Sequence, residues 1–318
     1  MNSSMQQHVL IAANPRSGAT DGLPRAEKLC ELLRNDGWQA ELLTDLDAFE
    51  RRAKDLLSLG QLKAIVAGGG DGTVSTVINR IGVQVPITIL PMGSENLLAK
   101  YLEIPRDPAM IVSMLRSGNV RELDLVQANQ QLFLLMASLG FDAEVVKYVH
   151  QSRRSHITRW AYRWGIIQAL FQYRWPAMEI QSLDQDGCWV AQGRHHWVFA
   201  FNVPKYAAGL TLLPDARIDD GLIDVGLFRG GSLFVGLWNY LLVAFGAHRK
   251  SSNWTELKTK GLRIKLVRPA NGAGQGGVSY QLDGDWVGDL AAYDDLDGQA
   301  EDCLLIQSMG TRAKFIVP

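Results

Sequence analysis

The sequence predicts two domains: an α/β N-terminal domain on a mostly parallel sheet, then a β-rich domain read as an antiparallel sandwich. Three observations carry that prediction. Ile65-Val66-Ala67 runs into Gly68-Gly69-Gly70-Asp71-Gly72-Thr73 and then into a segment with helical apolar spacing, Val74 to Asn79, which together read as a strand, a tight loop and a helix start. Apolar runs and helix-spaced segments alternate as far as residue 124, the pattern of βα units. Beyond that point come short alternating runs, Gln131 to Ser138, His196 to Asn202, Ile223 to Phe228 and Leu262 to Val267, the texture of antiparallel strands.

In chain order, His8 to Ala13 reads as the first strand and ends in Asn14-Pro15-Arg16-Ser17-Gly18. That turn offers backbone N–H groups, a hydroxyl and a guanidinium at the carboxyl end of a sheet, where α/β folds bind ligands; a solvent-exposed turn is the plainer reading. Ala26 to Gly37 is a helix, Gln39 to Leu43 a strand and Phe49 to Leu59 a second helix leading to the Ile65 strand. Val85 to Leu90 is a further strand, followed by Pro91-Met92-Gly93-Ser94-Glu95-Asn96 and another helix start. Two strand–glycine loop–helix passages adjacent in one sheet form the lips of one crevice. The boundary falls in the strand-like Val120 to Leu125, dividing residues 1–124 from 125–305, with the tail 306–318 returning to the first domain. Leu233 to Phe245 reads as an apolar helix packed on the β-rich domain, and Asp283-Gly284 between apolar runs reads as a hairpin turn.

The central glycine loop carries chemistry. Glycines let the backbone approach a ligand, and the first N–H groups of a helix with its dipole favour an anion such as phosphate. A carboxylate in such a loop has a cation or a proton to handle, so Asp71 suggests a Mg²⁺-nucleotide. The plainer alternative is a βα turn with Asp71 as a helix cap.

Composition limits the rest. With 47% hydrophobic and 20% charged residues the chain is globular, and 32 basic against 33 acidic residues give no global attraction to nucleic acid. Cys30, Cys188 and Cys303 lie far apart and form neither a metal cluster nor a disulfide framework, so a reducing, cytoplasmic setting is expected. Met1 to Gln7 does not read as a secretory signal, and the longest apolar run, 13 residues interrupted by Asn239, is too short for a transmembrane segment. From Val145 to Met178 there is no acidic residue, while basic side chains from Lys147 to Arg174 interleave with Trp and Tyr up to Trp175. This composition suits peripheral contact with a membrane surface through residues 147–175; a solvated helix with an aromatic core face is the plainer alternative, and a single-stranded nucleic acid the weakest of the three. The near-neutral charge counts against nucleic acid.

Asn-Pro-Arg-Ser-Gly, Gly-Gly-Gly-Asp-Gly-Thr, Gly-Ser-Glu-Asn-Leu-Leu-Ala-Lys-Tyr-Leu-Glu-Ile-Pro, Asp124, Pro-Asp-Ala-Arg-Ile-Asp-Asp-Gly-Leu-Ile-Asp and Leu-Asp-Gly-Asp occur in one order from Ile11 to Asp285. The chain thereby resembles the diacylglycerol kinase catalytic-domain family, the bacterial-type diacylglycerol and sphingosine kinase-like lipid kinases, which share their fold with NAD kinases. The resemblance implies an ATP-dependent, Mg²⁺-assisted lipid kinase acting on a lipid hydroxyl in an interdomain cleft. It implies that Asn14, Arg16, Ser17, Gly18, Gly69, Gly70, Asp71, Gly72, Thr73, Gly93, Ser94 and Asn96 bind the nucleotide, and that Asp71 and Asp124 hold the metal. Asp283 is implied as the general base, with Asp71 and Asp285 beside it in catalysis. In some relatives the Pro214 to Asp224 turn holds a structural Mg²⁺, which implicates Asp220 with main-chain oxygens of Arg217 and Leu222.

Three positions depart from the family pattern: Thr76 and Asp285 stand where Glu is usual, and Leu97 where an acidic residue is usual. A nucleotide- and lipid-binding protein without turnover, and a kinase of a soluble alcohol, are the competing readings. The expected setting is cytoplasmic and peripherally membrane-associated, with a homodimer left open.

Overall fold

The computed structural model describes residues 7–15, 22–151, 173–205, 210–267, 277–291 and 303–318. The chain forms two compact units, Met1–Leu123 with Thr311–Pro318, and Asp124–Gly310.

In the first unit, β1 (His8–Ala13) pairs in parallel with β2 (Gln39–Leu43) on one side and β3 (Leu62–Gly69) on the other, and β4 (Ile87–Pro91) continues beyond β3. Phe315, near the end of β16 (Leu304–Ile316), pairs in parallel with Ile87. The five residues of β1 after His8 are buried, as are Ala64 to Gly69 of β3. Such continuous apolar strands belong to a sheet covered on both faces. The helices α1 (Leu23–Asn35) and α5 (Pro108–Ser117) pack together, as do α2 (Leu46–Ser58) and α3 (Asp71–Ile81). Their ends follow local chemistry: the Asp45 side chain accepts the Ala48 N–H, the Asp107 side chain accepts the Ala109 N–H ahead of Pro108, and Gly118 closes α5 at φ +68°. The sequence places α1 and α2 within three residues of their observed ends, while α5 is a helix that the sequence reading left unassigned.

The chain path matters for function. From β1 it moves to β2 on one side, then returns past β1 to β3 on the other. The strand order therefore reverses at β1 and β3, and such a switch point leaves a crevice at the strands' carboxyl ends.

The second unit is the antiparallel sandwich the sequence predicts. One sheet has the order β12-β11-β10-β7-β14-β15, built from β12 (Trp254–Thr259), β11 (Ile223–Phe228), β10 (Trp197–Phe201), β7 (Met136–Leu139), β14 (Val278–Leu282) and β15 (Asp285–Leu290). The other contains β13 (Gly261–Leu266) between β16 and β8 (Met178–Leu183), with β9 (Trp189–His195) beside β8. Also in it, β5 (Val120–Ala128) lies between β16 and β6 (Gln131–Phe133). Val126, Phe133, Leu139, Ile180, Val198, Val225, Ile264, Val278 and Ile306 share one buried core.

The predicted run from Gln131 to Ser138 is two strands rather than one. It breaks at Leu134 and Leu135, whose N–H groups turn to the carboxylate of Asp283. After β7 comes α6 (Phe141–Gln151), a helix that the sequence reading left unassigned. The apolar helix near residue 240 is present as α7 (Leu233–Ala244), capped by Ser232, and it buries only Gly236, Asn239 and Val243. No helix among the described residues is long and apolar enough to cross a membrane.

Candidate active site

The carboxyl ends of β1, β3 and β4 are tied by backbone hydrogen bonds. Asn14 N donates to Gly68 O at 2.9 Å, and Met92 N donates to Gly69 O at 3.0 Å. Glycine is required where these loops meet. A Cβ on Gly93 would lie 2.6 Å from the Gly70 Cα, and one on Gly69 would lie 2.0 Å from the Thr73 hydroxyl oxygen. Thr73 N in turn donates to Gly70 O. Asn96, buried and in the left-handed region at φ +49°, closes the Gly93 loop from both sides: its Oδ1 accepts Gly93 N at 2.9 Å and its Nδ2 donates to Gly93 O at 2.6 Å. Ser94 is exposed beside it.

Asp71 opens α3, yet its carboxylate caps the next helix along. Oδ2 accepts Leu97 N at 2.9 Å and Oδ1 accepts Leu98 N at 3.0 Å, both at the start of α4 (Leu97–Tyr101). Burial pushes its carboxyl above the usual carboxylate range, against the pull of those two N–H groups and of Lys100. The capping alternative is thus realised in an unexpected place. Of the substituted positions, Leu97 supplies its backbone N–H here, and the Thr76 hydroxyl donates to Gly72 O at 2.8 Å. Arg16, Ser17 and Gly18 lie outside the described residues.

The first unit thus presents the N-terminus of an 11-residue helix, with Gly70 as its N-cap and Gly72 in its first turn, at the carboxyl end of β3 beside the switch point. A phosphate fits that chemistry. A carboxylate has about four lone-pair sites, and two N–H groups engage Asp71 in the bonds just given. It therefore retains acceptor capacity for a hard cation carried on phosphates, since Mg²⁺ is usually held by one or two carboxylates plus phosphate oxygens and water.

The second unit gathers the other sequence-predicted residues. Asp124 Oδ2 accepts Gly221 N at 2.6 Å and Asp124 N donates to Ile218 O at 2.7 Å, so this aspartate anchors the Arg217 to Leu222 turn. Asp283 and Gly284 form the hairpin between β14 and β15 with φ +51° and +89°, the paired positive φ of a type I′ Asp-Gly turn. The Asp283 carboxylate accepts Leu134 N at 3.0 Å, Leu135 N at 2.8 Å and Met136 N at 3.1 Å. Asp285 starts β15, half-buried.

Sequence reasoning missed Asn202. Its fully buried amide nitrogen donates to Asp124 O at 2.9 Å and to Leu134 O at 3.0 Å, joining the Asp124 turn to the segment that Asp283 clamps. Its Oδ1 is buried without a hydrogen-bond partner. The only signal is a polar residue closing an apolar strand, Phe199-Ala200-Phe201-Asn202.

Asp220, proposed from the sequence as a metal ligand, accepts Leu222 N at 3.1 Å and lies 3.3 Å from Lys258 Nζ, which is also 3.1 Å from Asp224 Oδ1. Burial works against the Lys258 ammonium, but its bonds and attraction to Asp224 and Asp220 more than offset that and hold its pKa above the ordinary lysine value. Burial dominates at Asp224, whose carboxyl is raised despite Lys258. An ammonium already supplies the counter-charge at this turn, so the arrangement does not suit a divalent cation as it stands. Among the described residues no group of three or more His, Cys, Asp or Glu side chains gathers as a metal cluster.

The described ends of the basic-aromatic segment are engaged internally. Lys147 Nζ lies 2.7 Å from Asp289 Oδ2 and over the Trp286 ring, and Trp175 is buried and stacked on Phe141. Residues 152–172 lie outside the described residues.

Comparison with known proteins agrees with this architecture. Residues 8–128 match the model of the diacylglycerol kinase catalytic domain, and residues 136–300 that of the YegS C-terminal NAD kinase beta sandwich-like domain. A protein of Pseudomonas putida named "Probable lipid kinase YegS-like" is 30% identical over 243 residues, 74% of this chain and 80% of the relative. "Probable lipid kinase YegS" of Escherichia coli strain SMS-3-5 is 27% identical over 242 residues, 72% and 76% respectively. A crystal structure of a diacylglycerol kinase from Bacillus anthracis str. Sterne shares the fold, with a TM-score of 0.62, 16% identity and coverage of 98% of this chain and 97% of that one. The paired domains, and the relative at 30% identity, show that the chain belongs to the diacylglycerol kinase catalytic-domain family of phosphotransferases, in the branch that carries a YegS-type β sandwich.

Proposed function

We propose that the chain transfers the γ-phosphoryl group of ATP to the hydroxyl of a diacylglycerol- or sphingoid-like lipid, with Mg²⁺. The observation that most supports this reading is the loop constellation in which Asp71 ties the Gly70 and Gly93 loops, after β3 and β4, beside the switch point. Phosphoryl transfer needs chiefly positioning and charge neutralisation. The N–H groups at the start of α3 orient and neutralise the phosphates of ATP, and Asn14, Arg16 and Ser17 are the further nucleotide-binding residues that the family resemblance implies. Asp71 and Asp124 would hold Mg²⁺, which would supply further neutralisation of the developing charge. Asp283 orients the acceptor hydroxyl and takes its proton, with Asp285 beside it; the clamp from Leu134, Leu135 and Met136 fixes where that carboxylate points.

The same clamp favours a second reading, in which Asp283 is structural and the chain binds nucleotide and lipid without turnover. Transfer from [γ-³²P]ATP with Mg²⁺ into diacylglycerol, monoacylglycerol, sphingosine and ceramide separates the two. Labelled lipid from the wild type and none from an Asp283→Asn variant that still folds and binds ATP supports the kinase; ATP binding by the wild type without labelled lipid supports the second reading.

A further inference from the structure

The helix α7 has no charged residue, and its one amide, Asn239, is buried with Nδ2 bonded to Arg229 O at 3.4 Å. Its inner face is seated closely. The Trp175 indole lies so tightly against Gly236 that a Cβ there would fall 2.0 Å from the ring, and Tyr240 meets Phe141 edge-on at 6.4 Å. The outer face consists of Phe234, Leu237, Trp238 and Leu241, continued past the helix end by Phe245, all exposed. Spacings of three and four residues place these side chains on one side of the helix. Phe234 and Phe245 are each 83% exposed and Trp238 is 57% exposed. A contiguous row of this kind marks an interaction surface.

Charge identifies the partner. Between Asp224 and Glu256 the sequence contains no acidic residue. Arg229 before the helix and Lys250 after it are exposed, one at each end of the apolar row. Arg249 is discounted, because Asp215 and Glu256 hold its guanidinium. An apolar row with a Trp in its middle and cations at its margins matches the interfacial layer of an anionic bilayer, where rings sit at headgroup depth and cations meet phosphate. A 12-residue helix is too short to span that layer and lies in its plane. Self-association is less favoured, since a second copy would bring Arg229 and Lys250 against their own kind.

We propose that α7 is the membrane-docking face of this protein, laying Phe234, Trp238 and Phe245 into an anionic bilayer surface. The assignment rests on the lipid-kinase reading, in which the acceptor's acyl chains reside in a bilayer.

The test is co-sedimentation with vesicles of phosphatidylcholine, with and without phosphatidylglycerol. Phosphorylation of a dispersed short-chain diacylglycerol is assayed in parallel without vesicles. The variant Phe234→Ser/Trp238→Ser/Phe245→Ser is expected to bind about 10-fold more weakly or worse, with an unchanged melting midpoint and unchanged activity on the dispersed substrate. Arg229→Gln/Lys250→Gln is expected to lose the preference for phosphatidylglycerol while keeping residual binding. Wild type that ignores vesicles, a folded triple variant that binds like wild type, or a solution dimer that the triple variant dissolves overturns the docking face. Activity on the dispersed lipid with vesicle binding indifferent to α7 overturns the docking face and spares the kinase. Binding that depends on α7 with no lipid phosphorylated by either protein supports the docking face while the kinase reading falls.

Discussion

The Asp71 carboxylate and the Leu98 N–H meet at 3.0 Å across 27 residues of chain, joining the first residue of α3 to the second residue of α4. With its other oxygen on Leu97 N, this one side chain makes the Gly70 and Gly93 loops a single body. Asp71→Asn replaces one acceptor oxygen by a donor and leaves a backbone N–H without its partner. An unsatisfied buried donor costs about 1–3 kcal/mol. The expected outcome is a loss of that order in urea denaturation together with weakened ATP binding; unchanged stability counts against the tie.

Gly93→Ala tests the cradle more sharply. The new Cβ would meet the Gly70 Cα, which is backbone and has no rotamer to escape into. The loops must part, and ATP affinity measured by calorimetry is expected to fall at least about tenfold, roughly 1.4 kcal/mol. An alanine variant that binds ATP like wild type removes the Gly70 loop from the nucleotide site.

Asn202→Ala removes the amide that joins Asp124 O to Leu134 O. Two buried carbonyls lose their donor, with an expected stability loss of about 1–3 kcal/mol. If the amide also positions the Asp283 clamp, kcat for lipid phosphorylation falls while the ATP KM holds. A stability loss with kcat intact makes Asn202 a core residue only.

Two buried groups in the second unit titrate in opposed directions. Burial pushes Asp142 up to about 6 from 3.8, against hydrogen bonds from Ser138 and Gln281. Between those values the folded state keeps a proton that the unfolded chain has released, so stability falls as pH rises through the window. Burial, aided by the Arg229 charge, pulls His195 down to about 4 from 6.5. There the unfolded chain holds the extra proton, so stability rises with pH. Each shift of about two pH units is worth roughly 3 kcal/mol, and in the wild type they largely cancel. Asp142→Asn is expected to show a urea midpoint that climbs from pH 4 to pH 6, and His195→Leu one that declines. Parallel profiles for wild type and Asp142→Asn refute the assignment.

Lys258→Met leaves Asp224 and Asp220 facing each other without the ammonium between them. Lys258 is 39% exposed, so solvent screening limits the loss to about 1 kcal/mol. Added Mg²⁺ is expected to leave the wild-type melting midpoint unchanged and to raise that of the variant. A wild-type midpoint that rises with Mg²⁺ in proportion to occupancy of the turn shows that the cation displaces Lys258.

Local chemistry made much of the fold legible. The helices α1 and α2 follow from apolar spacing, and the Asp283-Gly284 hairpin from the positive φ that its turn demands. The glycine loops at Gly68–Gly70 and Gly93 announced a crevice because only glycine tolerates backbones in contact. The break at Leu134 escaped notice because its cause, Asp283, is 149 residues away. Asn202 was invisible for the same reason: its partners Asp124 and Leu134 come from other strands and loops.

By itself the sequence determined the βα order, the two glycine loops and the hairpin, because propensity, periodicity and turn chemistry act over a few neighbouring residues, and its family resemblance singled out carboxylates as candidates. Only the tertiary structure decided what those carboxylates do. It set Asp71 on the next helix, Asp283 on three strand-end amides and Lys258 beside Asp220 and Asp224. It also decided that the outer face of α7 is left uncovered. Hydrogen bonds and burial depend on which distant segments the core brings together, and spacing along one chain does not encode that directly.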